Sequence, residues 1–278
     1  MTMPYFQYQF NTAPEWQDIL LAFLGELPFE VFEETEDGLL AYVPAELAGE
    51  QLDADINDLQ SRFELSWSKE LLPDQNWNEV WESNFQPVIV DDFCAVRAEF
   101  HQPIEGVQHE LVIQPRMAFG TGHHATTEMM MRQMRHLHFA GAKVFDYGCG
   151  TGILAILAAR LGAALTDAVD IEDESYANTL HNAALNGTPQ IRAYCGTLEA
   201  VPHDTYDIIL ANINRNVLLE TMRPMAERLR AGGTLLLSGI LEQDVPVITE
   251  SAAAQGLHPI SRMQQGDWVC MALQGREQ

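Results

Sequence analysis

Three short stretches carry residues able to do chemistry together. "FDYGCGTG", residues 145–152, places Asp146 ahead of three alternating glycines, Gly148, Gly150 and Gly152. Glycines in that rhythm let a backbone turn tightly and approach a ligand closely. "AVDI" puts Asp170 at the end of an apolar run, 24 residues after Asp146. An ionised carboxylate only accepts hydrogen bonds, so Asp170 suits the two hydroxyls of a ribose. "ANIN", residues 211–214, ends another apolar run with Asn212, whose amide oxygen can accept from a nucleophile's N–H. A fourth stretch, "MAFGTGHHATTEMM" at 117–130, reads as a polar loop entering a helix. Thr127 is expected to cap that helix, and Glu128 suits its positive end. The adjacent His123 and His124 have no nearby cysteine or carboxylate at ligand spacing, so no metal site is expected. His136 and His138 read as ordinary helix-end residues.

The glycine run does not fit a dinucleotide fingerprint. Counting Gly-x-Gly-x-x-Gly from Gly148 puts the last glycine at Ile153. Counting from Gly150 puts it at Ala155, with the strand ending too early.

These residues need elements to hold them. From Lys143 onward, buried strands alternate with helices. "KVFDY" precedes a helix at 152–162, "LTDAVDI" one at 173–186, and a strand at 190–194 follows. "YDIILANI" then leads to a helix at 215–230, "GGTLLLSGI" to one at 242–255, and 257–273 looks like two strands. Alternation of this kind predicts a doubly wound, mostly parallel sheet, with the glycine turn and both strand-end polar residues at its carboxyl edge. Whether Asp173 begins the helix after Asp170 or belongs to the site is left open by the spacing. The first 70 residues read differently: strand 4–10, helix 15–26, strands 29–34 and 38–43, helix 50–62 and strand 64–70. That order is the split βαβ pattern of a small α+β module. Leu52, Ile56, Leu59 and Phe63 mark the inner face of its second helix. Between the two parts, "LLPDQNWNEVWESNFQPV" carries Trp77, Trp81 and Phe85 at spacing four, a packed face on a linker helix.

Composition narrows the partners. The chain has 278 residues and a formal net charge of −25. Residues 1–90 hold 18 acidic and 2 basic residues, a balance of −16 that leaves −9 for the remainder. A surface so acidic disfavours a nucleic-acid backbone and favours a basic macromolecule. The four cysteines, at 94, 149, 195 and 270, form no CxxC and no paired spacing. The start, "MTMPYFQYQF", has no secretory pattern, and no apolar run reaches membrane-spanning length. A cytoplasmic location is expected.

"DYGCGTG" in a strand–turn–helix setting resembles motif I of class I S-adenosylmethionine-dependent methyltransferases. With "AFGTGHHATT", "VDI", "ANI" and "NWNEVWESNFQPV", the resemblance narrows to the bacterial ribosomal protein L11 methyltransferases and spans nearly the whole chain. It implies a ferredoxin-like substrate-recognition domain at 1–70, a linker helix at 71–90 and a Rossmann-like class I catalytic domain at 91–278. It implies S-adenosylmethionine as methyl donor, with Thr127, Gly148, Asp170 and Asn212 in contact with it and Phe119, Gly120, Asp146 and Gly150 beside them. Asn212 is the catalytic candidate, and no metal is implied. The implied acceptors are lysine side-chain amines of ribosomal protein L11, and the N-terminal amine as well, with no direct nucleic-acid or membrane partner. Another class I methyltransferase with a different acceptor, or a non-catalytic cofactor-binding scaffold, are the competing readings. Two departures stand out: Arg116 replaces the family's usual glycine, and Asn214–Arg215 follow the Asn-Ile pair.

Amine methylation sets a further expectation. Deprotonating a lysine of pKa about 10.4 at pH 7 requires roughly 4.6 kcal/mol. A sulfonium about 4 Å from an ammonium repels it by roughly 4 kcal/mol at an effective dielectric of 20. The two are comparable, so the pocket around the acceptor nitrogen is expected to be neutral.

Overall fold

A computed structural model describes residues 4–12, 20, 23–24, 27–35, 38–62, 65–72, 87–114, 125–202 and 204–276. The chain divides into two units, Met1–Phe85 and Gln86–Gln278.

In the first unit, β1 (Tyr5–Thr12), β2 (Val31–Thr35), β3 (Gly38–Pro44) and β4 (Leu65–Leu71) form one antiparallel sheet in the order β2-β3-β1-β4. This is the strand order of a ferredoxin-like sheet. The alternation of "YFQYQF" puts Tyr8 and Phe10 on the buried face, as a half-buried strand requires. α1 (Glu50–Arg62) covers them with Leu52, Ile56 and Leu59. Phe63, most of the expected helix at 15–26, and the tryptophan stripe of the linker lie outside the described residues. The tail of the linker range is not helical: Val88–Val90 is a strand.

In the second unit, a small sheet comes first: β5 (Val88–Val90), β6 (Cys94–Arg97) and β7 (His109–Val112). The sequence patterns leave these strands unread, because runs of three and four residues are too short to show a period. α2 (Ala125–Met134) follows. The main sheet then assembles from β8 (Lys143–Tyr147), β9 (Leu165–Asp170), β10 (Ile191–Cys195), β11 (Tyr206–Asn212), β12 (Leu229–Leu241), β13 (Leu257–Gln265) and β14 (Trp268–Gly275). Its order is β10-β9-β8-β11-β12-β14-β13. β8 to β12 run parallel, and β14 lies antiparallel between β12 and β13. Strand order reverses at β8, so ligands are expected outside the carboxyl ends of β8, β9 and β11.

Helices α3 (Ile153–Arg160), α4 (Asp173–Leu185), α5 (Arg215–Arg228) and α6 (Val245–Ala254) cover the sheet. α3 is buried on all sides from Ile153 to Ala159, which explains why "ILAILAA" shows no polar stripe. One apolar cluster joins α2 and α3 to one face of the sheet, and a second joins α5 and α6 to the other. On the α5 side, buried Asp167 is satisfied by Arg192 at 2.7 and 2.8 Å and by the Tyr206 hydroxyl at 2.8 Å.

Candidate functional site

A cavity of about 660 Å³ runs along the carboxyl edge of β9, β8 and β11. Its walls include Gly148, Gly150, Asp170, Glu172, Asn212 and Trp268. The volume is that of a site for a drug-sized molecule.

The turn after β8 uses its glycines in two ways. Gly148, Gly150 and Gly152 have φ of +73°, +53° and +78°, a region in which side chains are strained. A Cβ on Gly148 would lie 2.3 Å from Ile213 Cγ2 in the wall of the cavity. Gly152 departs from expectation. A Cβ there would lie 2.9 Å from the Thr179 side chain of α4, so this glycine admits a helix and not a ligand.

The turn's hydrogen-bond donors decide what it can hold. Gly148 N and Cys149 N both donate to Val169 O, at 2.9 and 3.1 Å. Gly150 N donates to Asp170 Oδ2 at 2.8 Å. A phosphate cradle needs such N–H groups free, and here three in succession are spent on β9. One donor at the start of α3 is engaged as well. Asp146, expected among the cofactor contacts, lies instead behind the turn, 1 % exposed, and its Oδ2 accepts from Ala155 N at 3.0 Å. A turn whose N–H groups are engaged in this way suits a nucleoside without phosphates.

Burial pushes the Asp146 carboxyl up to about 7, opposed by the Ala155 N–H and helped by the nearby Asp170 charge. Its Oδ1 has no hydrogen-bond partner among the described residues. A folded-state pKa raised above the unfolded value gives stability that is complete below the unfolded pKa and lost as pH rises through the folded one. Urea midpoints of the wild type should therefore fall between about pH 4 and pH 7 by a component that Asp146→Asn lacks. Parallel pH slopes in the two proteins would contradict this.

Asp170 closes one end of the cavity. Beyond Gly150 N, it receives Glu172 N on Oδ1 at 3.1 Å, so each carboxylate oxygen is oriented by one backbone donor and keeps lone-pair capacity for another. Glu172 is the N-cap position of α4 and Asp173 its first residue, which resolves the register around this carboxylate. Asn212 stands two strands away, roughly 10 Å along the sheet edge. Its Nδ2 donates to Thr127 Oγ1 at 3.2 Å, and its Oδ1 is buried without a partner among the described residues. Thr127 is not the expected helix cap. It is the third residue of α2, 1 % exposed, and it meets the site through Asn212. Around Asn212 the described walls include Thr126, Tyr147, Ile213, Asn214, Val217, Gly239 and Trp268, with no carboxylate or cationic side chain among them. The carboxylates Asp170, Glu172 and Glu174 gather at the opposite end.

Asn214 caps α5 by accepting from Val217 N at 3.1 Å, and Arg215 pairs with Asp244 at 3.1 Å. Asn214 and Arg215 thus each have a local structural role. Arg116, Phe119, Gly120, His123 and His124 lie outside the described residues. Among the described residues no group of three or more His, Cys, Asp or Glu side chains could hold a metal ion, and no helix is long and apolar enough to cross a membrane. Cys94, Cys149 and Cys270 are buried and Cys195 is exposed, all of them free thiols.

The family model of the ribosomal protein L11 methyltransferases matches residues 26–276. The chain belongs to that family. A ribosomal protein L11 methyltransferase of Porphyromonas gingivalis is 44% identical over 261 residues, covering 91% of this chain and 89% of that protein. One from Bacteroides fragilis is 36% identical over 276 residues, covering 97% and 99%. Among solved structures, a ribosomal protein L11 methylase from Lactobacillus delbrueckii subsp. bulgaricus superposes with a TM-score of 0.64 at 31% identity, over 70% of this chain and 100% of that one. A methyltransferase from Pyrococcus furiosus, at 16% identity and a TM-score of 0.52 over 60% and 90%, shares the fold. This L11 methyltransferase family member is thus an enzyme of the class I methyltransferase fold, and its methyl donor is S-adenosylmethionine. The donor, a nucleoside without phosphates, agrees with a turn whose three successive N–H groups are engaged with β9.

Proposed function

We propose that this enzyme transfers methyl groups to lysine side-chain amines of ribosomal protein L11, and to its N-terminal amine. Family membership supports the substrate. The observation that carries the chemistry is Asn212 Oδ1: a buried acceptor without a hydrogen-bond partner among the described residues, at a wall of the cavity. When bound, S-adenosylmethionine supplies an electrophilic methyl on a cationic sulfur. The chain's part is placement. Asp170 would hold the ribose hydroxyls, and the Gly148–Gly150 turn would lie against the adenosine. Asn212 Oδ1 would accept one N–H of the neutral amine and so aim its lone pair, while Thr127 fixes the amide through Nδ2. That is positioning, which holds reactants in line, and not strong general-base catalysis.

The acidic N-terminal region, with its balance of −16 over residues 1–90, suits recognition of a basic protein in the cytoplasm. The test is mass spectrometry of purified ribosomal protein L11 after incubation with the enzyme and S-adenosylmethionine. Mass increments of whole methyl groups, mapped to lysines or the N-terminus, are expected. An unmodified substrate, beside an enzyme that binds the cofactor, would overturn the proposal.

A further inference from the structure

Helix α4 carries a run of buried polar side chains, Asn178, Thr179 and Asn182, all 0 % exposed, with Asn186 just past its end. Such a face is costly to bury unless it is satisfied. Thr179, Asn182 and Asn186 find partners in backbone groups of two other segments, while Asn178 bonds Asn182 and keeps its Nδ2 without a partner among the described residues. Thr179 Oγ1 donates to Gly150 O at 3.0 Å, and Asn182 Nδ2 donates to Thr151 O at 2.9 Å, so α4 grips the carbonyls of the turn whose N–H groups β9 already holds. The other end of the same Asn182 amide accepts from Gln114 N at 2.8 Å, just beyond β7. Asn182 Nδ2 also donates to Asn178 Oδ1 at 3.1 Å. Neither end of this amide can be exchanged for the other: Gln114 N is a donor and Thr151 O an acceptor, which fixes the orientation.

We infer that Asn182 is a positioning residue that couples the cofactor turn to the end of β7. It touches no reacting atom. It acts through Thr151, holding the turn at the height that lets Gly150 N meet Asp170, and through Gln114, from which the chain continues toward α2 and Thr127. Binding at the turn therefore steadies the Gln114 amide, and loosening Asn182 weakens binding. Asn186 supplies the control. It makes a similar pair of bonds to Val112, from Val112 N at 2.9 Å and to Val112 O at 2.6 Å, but has no bond to the turn.

This inference rests on the site reading given above, and the test separates the two. Calorimetry with S-adenosylhomocysteine should show a dissociation constant about tenfold higher for Asn182→Ala than for the wild type. Asn186→Ala should stay within about twofold, although both variants lose thermal stability. Equal affinities in all three proteins, or equal losses in the two variants, would reduce Asn182 to a structural role. A second measurement needs no variant: hydrogen exchange at Gln114 N in the wild type should slow severalfold on saturation with S-adenosylhomocysteine. Unchanged exchange there would overturn the coupling even if Asn182→Ala fails to fold. A wild type that binds no S-adenosylhomocysteine would overturn the site reading itself, and the inference with it.

Discussion

Asp170→Ala should raise the dissociation constant for S-adenosylhomocysteine at least a hundredfold. Each oxygen of this carboxylate is aimed by one backbone N–H, Gly150 on one side and Glu172 on the other, leaving one direction on each for a ribose hydroxyl. Hydrogen bonds to a charged group contribute roughly 1.5–3 kcal/mol each. Losing two amounts to about 3–6 kcal/mol, or roughly 10²–10⁴ in affinity. The substitution also frees Gly150 N, so the turn loses one of the contacts that set its shape. Asp170→Asn keeps one acceptor and should fall between. Calorimetric titration reads all three proteins, and an alanine variant with wild-type affinity would remove Asp170 from the site.

The second large effect is on turnover. Asn212→Ala should lower kcat about a hundredfold while the affinity for S-adenosylhomocysteine changes by less than about threefold, because in the proposed arrangement the lost group chiefly aligns the acceptor. Asn212→Asp is the more telling variant. It preserves shape, but it places a carboxylate beside an amine that must lose its proton. An opposite charge stabilises the ammonium, so its pH–rate profile should shift to higher pH than the wild type's. Turnover in Asn212→Ala equal to wild type would show that acceptor alignment lies elsewhere. Steady-state kinetics with ribosomal protein L11 decides it.

Much of this site can be read from residue order alone, for a physical reason. A buried parallel strand must end in a short turn before its helix, so the polar residues there, Gly148, Asp170 and Asn212, stand out against apolar runs. What stays hidden depends on contacts distant in sequence. Thr127 reads as a cap because threonine before a helical run commonly is one; only its position inside α2 and the bond to Asn212, 85 residues away, show otherwise. Asp146 reads as a ligand because it opens the motif, and only its burial and its bond to Ala155 place it behind the turn. The polar face of α4 leaves a trace, Asn178, Asn182 and Asn186 at intervals of four. Such spacing reads equally well as a solvated stripe until the packing of β7 and the turn against it is known. The small sheet of β5, β6 and β7 has strands too short to declare a period.

The place of β14 has a consequence for truncation. It follows β13 in the chain, yet it sits inside the sheet, with β12 on one side and β13 on the other. Without Trp268–Gly275, β12 would have an open edge, β13 would lose its pairing partner, and the cavity would lose the Trp268 side of its wall. Deleting these eight residues would therefore strike the middle of the sheet.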